Sequence, residues 1–380
     1  MASNPMPAPA TLAVRAADPQ AHDSGGLEAL AAAAAGRAEA LNLSLAGSPA
    51  TQRLESALAA TGGAAAALLT CSYAAAVRLL IRALAGPGQA VRLHGDPGAE
   101  IAAVLEELEL QDQHLPGKNK TADENTSKTL EIHCDPASVP ALSQDDGAVH
   151  VLLLSQVLLS ELRCDTAAAL IVADISGLNG AEGEPAGLIL DSGRYAWTGH
   201  PACALPVAQE QGVSFADEHG RLALLQRLRY YDRPRHGTFM GAAQAAAFLQ
   251  ALPQRLAADG LRRERFSALR AWLAGQSELP CEVSDEAPHC ALMSLRFASP
   301  AKAVLFCNAL ALIPCAVGAR RDLSHVNIPA LTSGVFYRSG AGAPGPAVVS
   351  LSVGLEAIAD LSADMTQAFK ALARAGEISA

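Results

Sequence analysis

The sequence is poor in aromatic residues, in lysine and in uninterrupted apolar runs, and each shortage excludes something. Aromatics make up 4% of the 380 residues, so alanine, leucine and valine must fill the core within a hydrophobic fraction of 50%. The longest apolar stretch, Val149 to Leu162, is broken by Ser155, Gln156, Ser160 and Glu161. It falls short of the roughly 20 residues a membrane span needs and reads as a buried strand followed by a helix. Met1 to Gly26 holds no apolar run, so no signal peptide is expected. Basic charge is also in deficit. With 28 Lys and Arg against 38 Asp and Glu, the net charge is −10, which argues against a nucleic-acid partner that would demand a basic surface. The eight cysteines, from Cys71 to Cys315, form no C-x-x-C pair and no His/Cys ligand spacing. No metal is therefore expected, and mostly buried, reduced thiols suit a cytoplasmic location.

What is there is an alternation of helical and short apolar segments, in a chain long enough for a large domain and a smaller one. Residues 1–45 read as a flexible lead and an Ala-rich helical arm (Leu27 to Leu41). Residues 46–239 read as the large domain and 240–380 as the small one. Helices are predicted over Arg53–Ala60, Ala74–Leu84, Ala99–Leu110, Gly241–Gly275 and Leu361–Ala375. Strands are predicted over Ala90–Leu93, Thr129–His133, Val149–Leu154, Leu170–Ala173, Leu188–Leu190 and Leu292–Phe297. A polar loop is expected over Asp112–Lys128. The short apolar runs fit the buried strands of an α/β fold with a mixed, mostly parallel sheet.

Several ordered motifs carry a resemblance. Ser48-Pro-Ala-Thr-Gln-Arg-Leu-Glu55 leads to Gly62-Gly63, and Cys71-Ser72-Tyr73 leads to Gly86-Pro87-Gly88. Leu170-Ile-Val-Ala-Asp174-Ile-Ser176 follows, then Ser192-Gly-Arg-Tyr195-Ala-Trp-Thr-Gly199-His200, and finally Ser350-Leu-Ser352-Val-Gly354-Leu-Glu356 with Asp360-Leu. In this order the chain resembles the cysteine/methionine-metabolism (transsulfuration) family of fold-type-I pyridoxal-phosphate enzymes. That family includes cystathionine synthases and lyases, methionine γ-lyase and O-acylhomoserine sulfhydrylases.

The resemblance implies a Schiff-base lysine at the position of Tyr195, beside Arg194, and no lysine occurs anywhere between Thr129 and Ala301. The amine required for covalent catalysis is missing. The family's cross-dimer phosphate contacts fall on Leu43 and Leu45, its ring-stacking tyrosine falls near Gly98, and its carboxylate-clamping arginine falls on Ser350. What matches is Asp174 for the pyridine nitrogen, Ser192 for a phosphate contact, and Ser72 at the start of a phosphate-facing helix. For Asp174 a turn or cap at a strand end is the competing reading, and for Arg194 an exposed loop cation competes with a new anion contact. Gly354, Ser352 and Glu356 read as fold determinants, and His200 as a packing residue.

No catalytic residue and no covalent cofactor are thus expected, with pyridoxal phosphate possible through the resemblance alone. The chain reads as an inactive homologue acting as a partner or regulator. A divergent lyase or γ-synthase with non-covalent cofactor is the alternative, and a sensor using the vacated cleft is a third reading. Self-association as a dimer or tetramer is implied by the family. An active paralogue is a further possible partner, in a tetramer of unlike dimers because Leu43 and Leu45 would cripple a mixed dimer. Two lesser signals remain. His133-Cys134-Asp135 and His289-Cys290 place thiol and imidazole on opposite strand faces, which makes no dyad. Arg227, Arg229, Arg233 and Arg235 around Tyr230-Tyr231 read as a basic patch at a subunit contact or solvated face.

Overall fold

Ser48 and Pro49 start the first helix for local reasons. The Ser48 hydroxyl accepts from the Thr51 N–H at 3.1 Å, and proline occupies a first-turn position whose N–H would have no helical partner. Gly63, at φ 62°, ends this helix, α1 (Pro49–Gly62), in the left-handed conformation glycine tolerates. In the computed structural model the described residues are 48–85, 91–95, 97–108, 129–139, 148–155, 157–164, 168–179, 184–207, 212–287, 291–316, 322–329, 331 and 347–378. The expected helical arm, the Asp112–Lys128 loop, Leu43, Leu45, the Gly86-Pro87-Gly88 turn and the His289-Cys290 pair lie outside them.

After α1 come β1 (Ala66–Thr70), α2 (Tyr73–Leu84), β2 (Val91–His94), α3 (Gly98–Glu107), β3 (Leu130–His133), β4 (Val149–Leu154), β5 (Leu170–Asp174) and β6 (Gly187–Asp191). The six strands form one sheet in the order β1-β6-β5-β4-β3-β2. β2 to β5 are mutually parallel, and β6 runs antiparallel to both β5 and β1. One face carries Leu68, Leu80, Val151, Val172, Ile189 and Trp197. The other buries Leu54, Leu58, Leu69, Ile171 and Leu188 with Phe248. Side chains on both faces are buried, which is why these strands read as continuous apolar runs.

The helix expected after β4 is only a 3₁₀ turn, Leu159–Glu161. Glu161 and Leu162 N–H close only i→i−3 bonds, while the flanking donors go to tertiary partners: Leu159 N–H to Asp259 Oδ2 at 2.5 Å, and Cys164 N–H to the Gly62 carbonyl at 2.7 Å. No i→i−4 ladder is left to propagate.

A run of short helical turns over residues 215–236, including a π turn at Leu228–Asp232, precedes α4 (Ala242–Ala274). α4 buries Ala245, Phe248 and Leu252 against the first sheet, and Phe266, Leu269 and Leu273 against a second core. That core belongs to an antiparallel sheet of β7 (Cys281–Ala287), β8 (Leu292–Phe297), β9 (His325–Asn327) and β10 (Val348–Ser352), ordered β7-β8-β10-β9. α5 (Pro300–Ala309) and α6 (Ile358–Ile378) cover it. The fold is α/β, with a mixed, mostly parallel sheet and a smaller antiparallel one. Among the described residues no helix is long and apolar enough to cross a membrane.

Candidate functional site

Parallel strands gather their carboxyl ends on one edge, where helix N-termini and loops form ligand sites in open α/β sheets. Here that edge is formed by Thr70, His94, His133, Leu154 and Asp174, with Gly187 at the start of the returning β6. Thr70 and Asp174 both pair with Gly187. Gly187 permits this close approach, because a Cβ there would run into the Ser72 carbonyl and the Thr70 hydroxyl. Ser72 caps α2, accepting from the Ala75 N–H at 3.1 Å. Replacing it with alanine is expected to lower stability by about 1 kcal/mol, measured by urea unfolding with and without pyridoxal phosphate. A loss that depends on added pyridoxal phosphate would show that this hydroxyl serves more than the helix.

Asp174 Oδ1 accepts from the Ser176 N–H at 2.9 Å and from its hydroxyl at 2.5 Å. The Ser176 hydroxyl oxygen in turn accepts from the Ala186 N–H at 3.0 Å. This carboxylate therefore shapes the turn that sends the chain back into β6.

Ser192 is not brought to this edge. It follows Asp191, which pairs with Leu170 and Ala66 at the amino ends of β5 and β1. Its hydroxyl donates to the Ala169 carbonyl at 2.9 Å. Four residues of strand, about 13 Å, separate that row from the Gly187–Asp174 row. Tyr195 lies beyond Ser192, packing on the buried Trp197 with ring centroids 4.6 Å apart. His200, also buried, meets Trp197 edge-on at 5.3 Å and accepts from the Ala202 N–H through Nδ1. Arg194 is exposed. The structure thus groups Ser72 with Asp174 and puts Ser192, Arg194 and Tyr195 at the opposite end of the sheet. Ser350 lies in β10, opposite Ser294 and Asn327. The only lysines among the described residues, Lys302 and Lys370, lie on α5 and α6.

The arginine-rich segment is not a basic patch. Arg229 and Arg233 turn inward onto Glu55, with Nη1 to Oε2 at 2.6 Å and Nη1 to Oε1 at 3.4 Å. Arg233 is 1% exposed. Arg227 pairs with Asp232 at 2.9 Å and donates to the Ala83 and Ala202 carbonyls. Only Arg235 faces outward, over the Tyr231 ring. Arg229 and Arg233 stand four residues apart on this helical run and so share one face, the one turned to Glu55, which also accepts from the Leu69 N–H at 3.0 Å.

A polar cluster missed in the sequence lies at the β2–β3–β4 side. β2 and β3 pair in register, Arg92 with Glu131 and His94 with His133, so the alternation V-R-L-H and L-E-I-H puts four polar side chains on one face. Arg92 and His94 hold the Glu131 carboxylate at 3.0 and 2.6 Å. His94 stacks on His133 at 4.6 Å. The Ser138 hydroxyl gives its proton to the Asp135 carbonyl, so it accepts from His133 Nδ1 at 3.1 Å. That leaves His133 Nε2 to accept from His150 Nδ1 at 3.0 Å. Burial, with His94 and His150 beside it, holds the His133 pKa down at about 4. Among the described residues no group of three or more His, Cys, Asp or Glu is placed to hold a metal.

No protein-family model and no curated protein sequence matches the chain. Solved structures do match in fold. One is an O-acetylhomoserine (thiol)-lyase from Campylobacter jejuni, a structure that carries a pyridoxyl-lysine phosphate group. It is 15% identical over 92% of this chain and 93% of its own, with a TM-score of 0.73. Another is cystathionine γ-synthase from Xanthomonas oryzae, 18% identical over 89% and 90%, with a TM-score of 0.66. A methionine γ-lyase from Micromonospora echinospora is 18% identical over 86% and 87%, with a TM-score of 0.59. The chain shares the fold-type-I architecture of these transsulfuration enzymes, the fold that the sequence motifs had implied.

Proposed function

We propose that this chain is a catalytically inactive relative of the transsulfuration enzymes, acting in the cytoplasm as a self-associating partner or regulator in sulfur amino-acid metabolism. The observation that carries the reading is the absence of any lysine between Thr129 and Ala301, the stretch in which the resemblance places the Schiff base. The residues present do not fit a covalently held pyridoxal phosphate. Asp174 is committed to the Ser176 turn and Ser72 to its helix cap. Ser192 and Tyr195 stand at the other end of the sheet. Fold alone does not confer the enzymes' activity.

The test is the absorption spectrum of the protein mixed with pyridoxal phosphate, taken before and after desalting and after borohydride treatment. No visible band is expected to survive desalting. A band fixed covalently by borohydride would overturn the proposal. A band that desalting leaves but borohydride cannot fix would instead support the non-covalent enzyme, for which Ser72 and Asp174 on one edge are the favouring observation. Purification from the native host then addresses the partner: a lysine-bearing paralogue at fixed stoichiometry supports a regulatory hetero-oligomer, whereas a clean homo-oligomer removes it.

A further inference from the structure

Two thiols outside the candidate site share one cavity. Cys307 lies in the last turn of α5, and Cys315 lies just past the loop that leaves it. A cavity of about 300 Å³ is lined by both, with Leu310, Ile313, Leu323 and Glu356.

The intervening loop is tied down from several sides. The Asp364 carboxylate of α6 accepts the N–H groups of Ala311, Leu312 and Ile313 at 2.8, 2.9 and 2.9 Å. The Gln367 side chain donates to the Ala309 carbonyl at 3.1 Å. Beyond the loop, the Val326 N–H donates to the Pro314 carbonyl and the Ala316 N–H to the Val326 carbonyl, both at 3.0 Å, which pins the backbone around Cys315 to β9. Both cysteines therefore line the cavity at the two ends of a loop whose backbone is held in place.

The two thiols differ in environment. Cys315 is exposed and Cys307 is buried, 7% accessible. Burial and the neighbouring Cys315 push the Cys307 pKa up to about 12. Cys315 is open to a small disulfide and Cys307 is not, so exchange begins at Cys315, and the high pKa of Cys307 makes its later attack the slow step.

We propose that Cys315 and Cys307 form a redox-active dithiol site that low-molecular-weight disulfides oxidise to an intramolecular disulfide. In the first step the Cys315 sulfur attacks the small disulfide RSSR, its S–S bond breaks, and Cys315–S–S–R forms with release of RSH. In the second the Cys307 sulfur attacks Cys315, the mixed disulfide breaks, and the second R group leaves as RSH with the Cys307 proton. The protein loses two hydrogens and the small disulfide is reduced to two thiols. This site stands independently of the proposed function, because it uses no residue of the sheet's carboxyl edge.

The sequence makes the test direct. Trypsin cuts after Lys302 and Arg320 and nowhere between, so the peptide Ala303–Arg320 carries Cys307 and Cys315 and no other cysteine. Folded protein incubated with oxidised glutathione is expected to yield this peptide lighter by two hydrogens, carrying no glutathione and resisting alkylation until reduced. With Cys307→Ser, glutathione is expected to remain trapped on Cys315. Phenylarsine oxide, which bridges two thiols with loss of water, is expected to add once to the same peptide in wild-type protein and to neither Cys307→Ser nor Cys315→Ser. Recovery of the wild-type peptide with glutathione on Cys315 and an alkylated Cys307 would overturn the proposal. So would two freely alkylated thiols with no bound arsenical.

Discussion

Glu55→Ala is expected to destabilise the protein by about 3–5 kcal/mol, the cost of removing one partner from a buried ion pair. This carboxylate accepts from Arg229, from the fully buried Arg233 and from the Leu69 N–H. Its loss leaves a guanidinium without its counter-charge in the core, where burial already lowers the Arg233 pKa. It also detaches α1 from both β1 and the helical turns over 215–236. Stabilities of small domains span roughly 5–15 kcal/mol, so urea unfolding should show much of the transition lost. Glu55→Gln keeps an acceptor without the charge and should recover part of the loss. An unfolding free energy for Glu55→Ala within about 1 kcal/mol of wild type, on the scale at which exposed pairs fall, would refute the buried network.

The second large effect is a pair of opposed pH dependences. Asp191 is fully buried, and desolvation raises its pKa from 3.8 to about 7 despite the Gly193 N–H donated to Oδ1 at 2.8 Å. The folded state therefore holds a proton there that the unfolded state has released. Stability from this group is fully present below about pH 4, declines as pH rises toward 7, and is lower by about 4 kcal/mol above it. His133 slopes the other way. Its folded pKa of about 4 lies below the ordinary 6.5, so the unfolded state binds the proton first and stability falls as pH drops from 6.5 to 4. Over this shared window the two partly cancel in the wild-type profile. Asp191→Asn should unmask a stability that rises with pH, and His133→Gln one that falls with pH. Denaturant titrations from pH 4 to 8 would distinguish them, and parallel profiles for wild type and both variants would refute the assignment.

Much of the fold is written locally. Each described strand of the large sheet from β2 to β6 was legible to within a residue or two, because short apolar runs bounded by turn residues have few alternatives. α1 and α2 start where Ser48 and Ser72 accept backbone N–H groups within a few residues, and α4 was legible as the helical stretch Gly241–Gly275 despite Pro253. For Asp174 the sequence left a cofactor contact and a strand-end turn as competing readings, and its carboxylate holds Ser176. Glu356 read as a fold determinant, but its partner, the Ser324 N–H and hydroxyl at 2.7 and 2.8 Å, lies 32 residues away. The missing lysine is a fact of composition that no packing alters.

Tertiary structure decided what a linear pattern has no means to encode. Ser192 and Asp174 lie close in sequence, yet the antiparallel return of β6 carries Ser192 to the far end of the sheet. A motif fixes order along the chain but not direction in space. Arg229 and Arg233 look like surface charge until the fold packs their helical face on Glu55, a partner more than 170 residues earlier. The histidine cluster needs the register of β2 on β3, which is set by packing on the sheet's other face. Local signals are short-ranged because caps and turns act over a few residues. Burial, ion pairing and sheet register are long-ranged, because they depend on which distant groups share a space from which water has been removed.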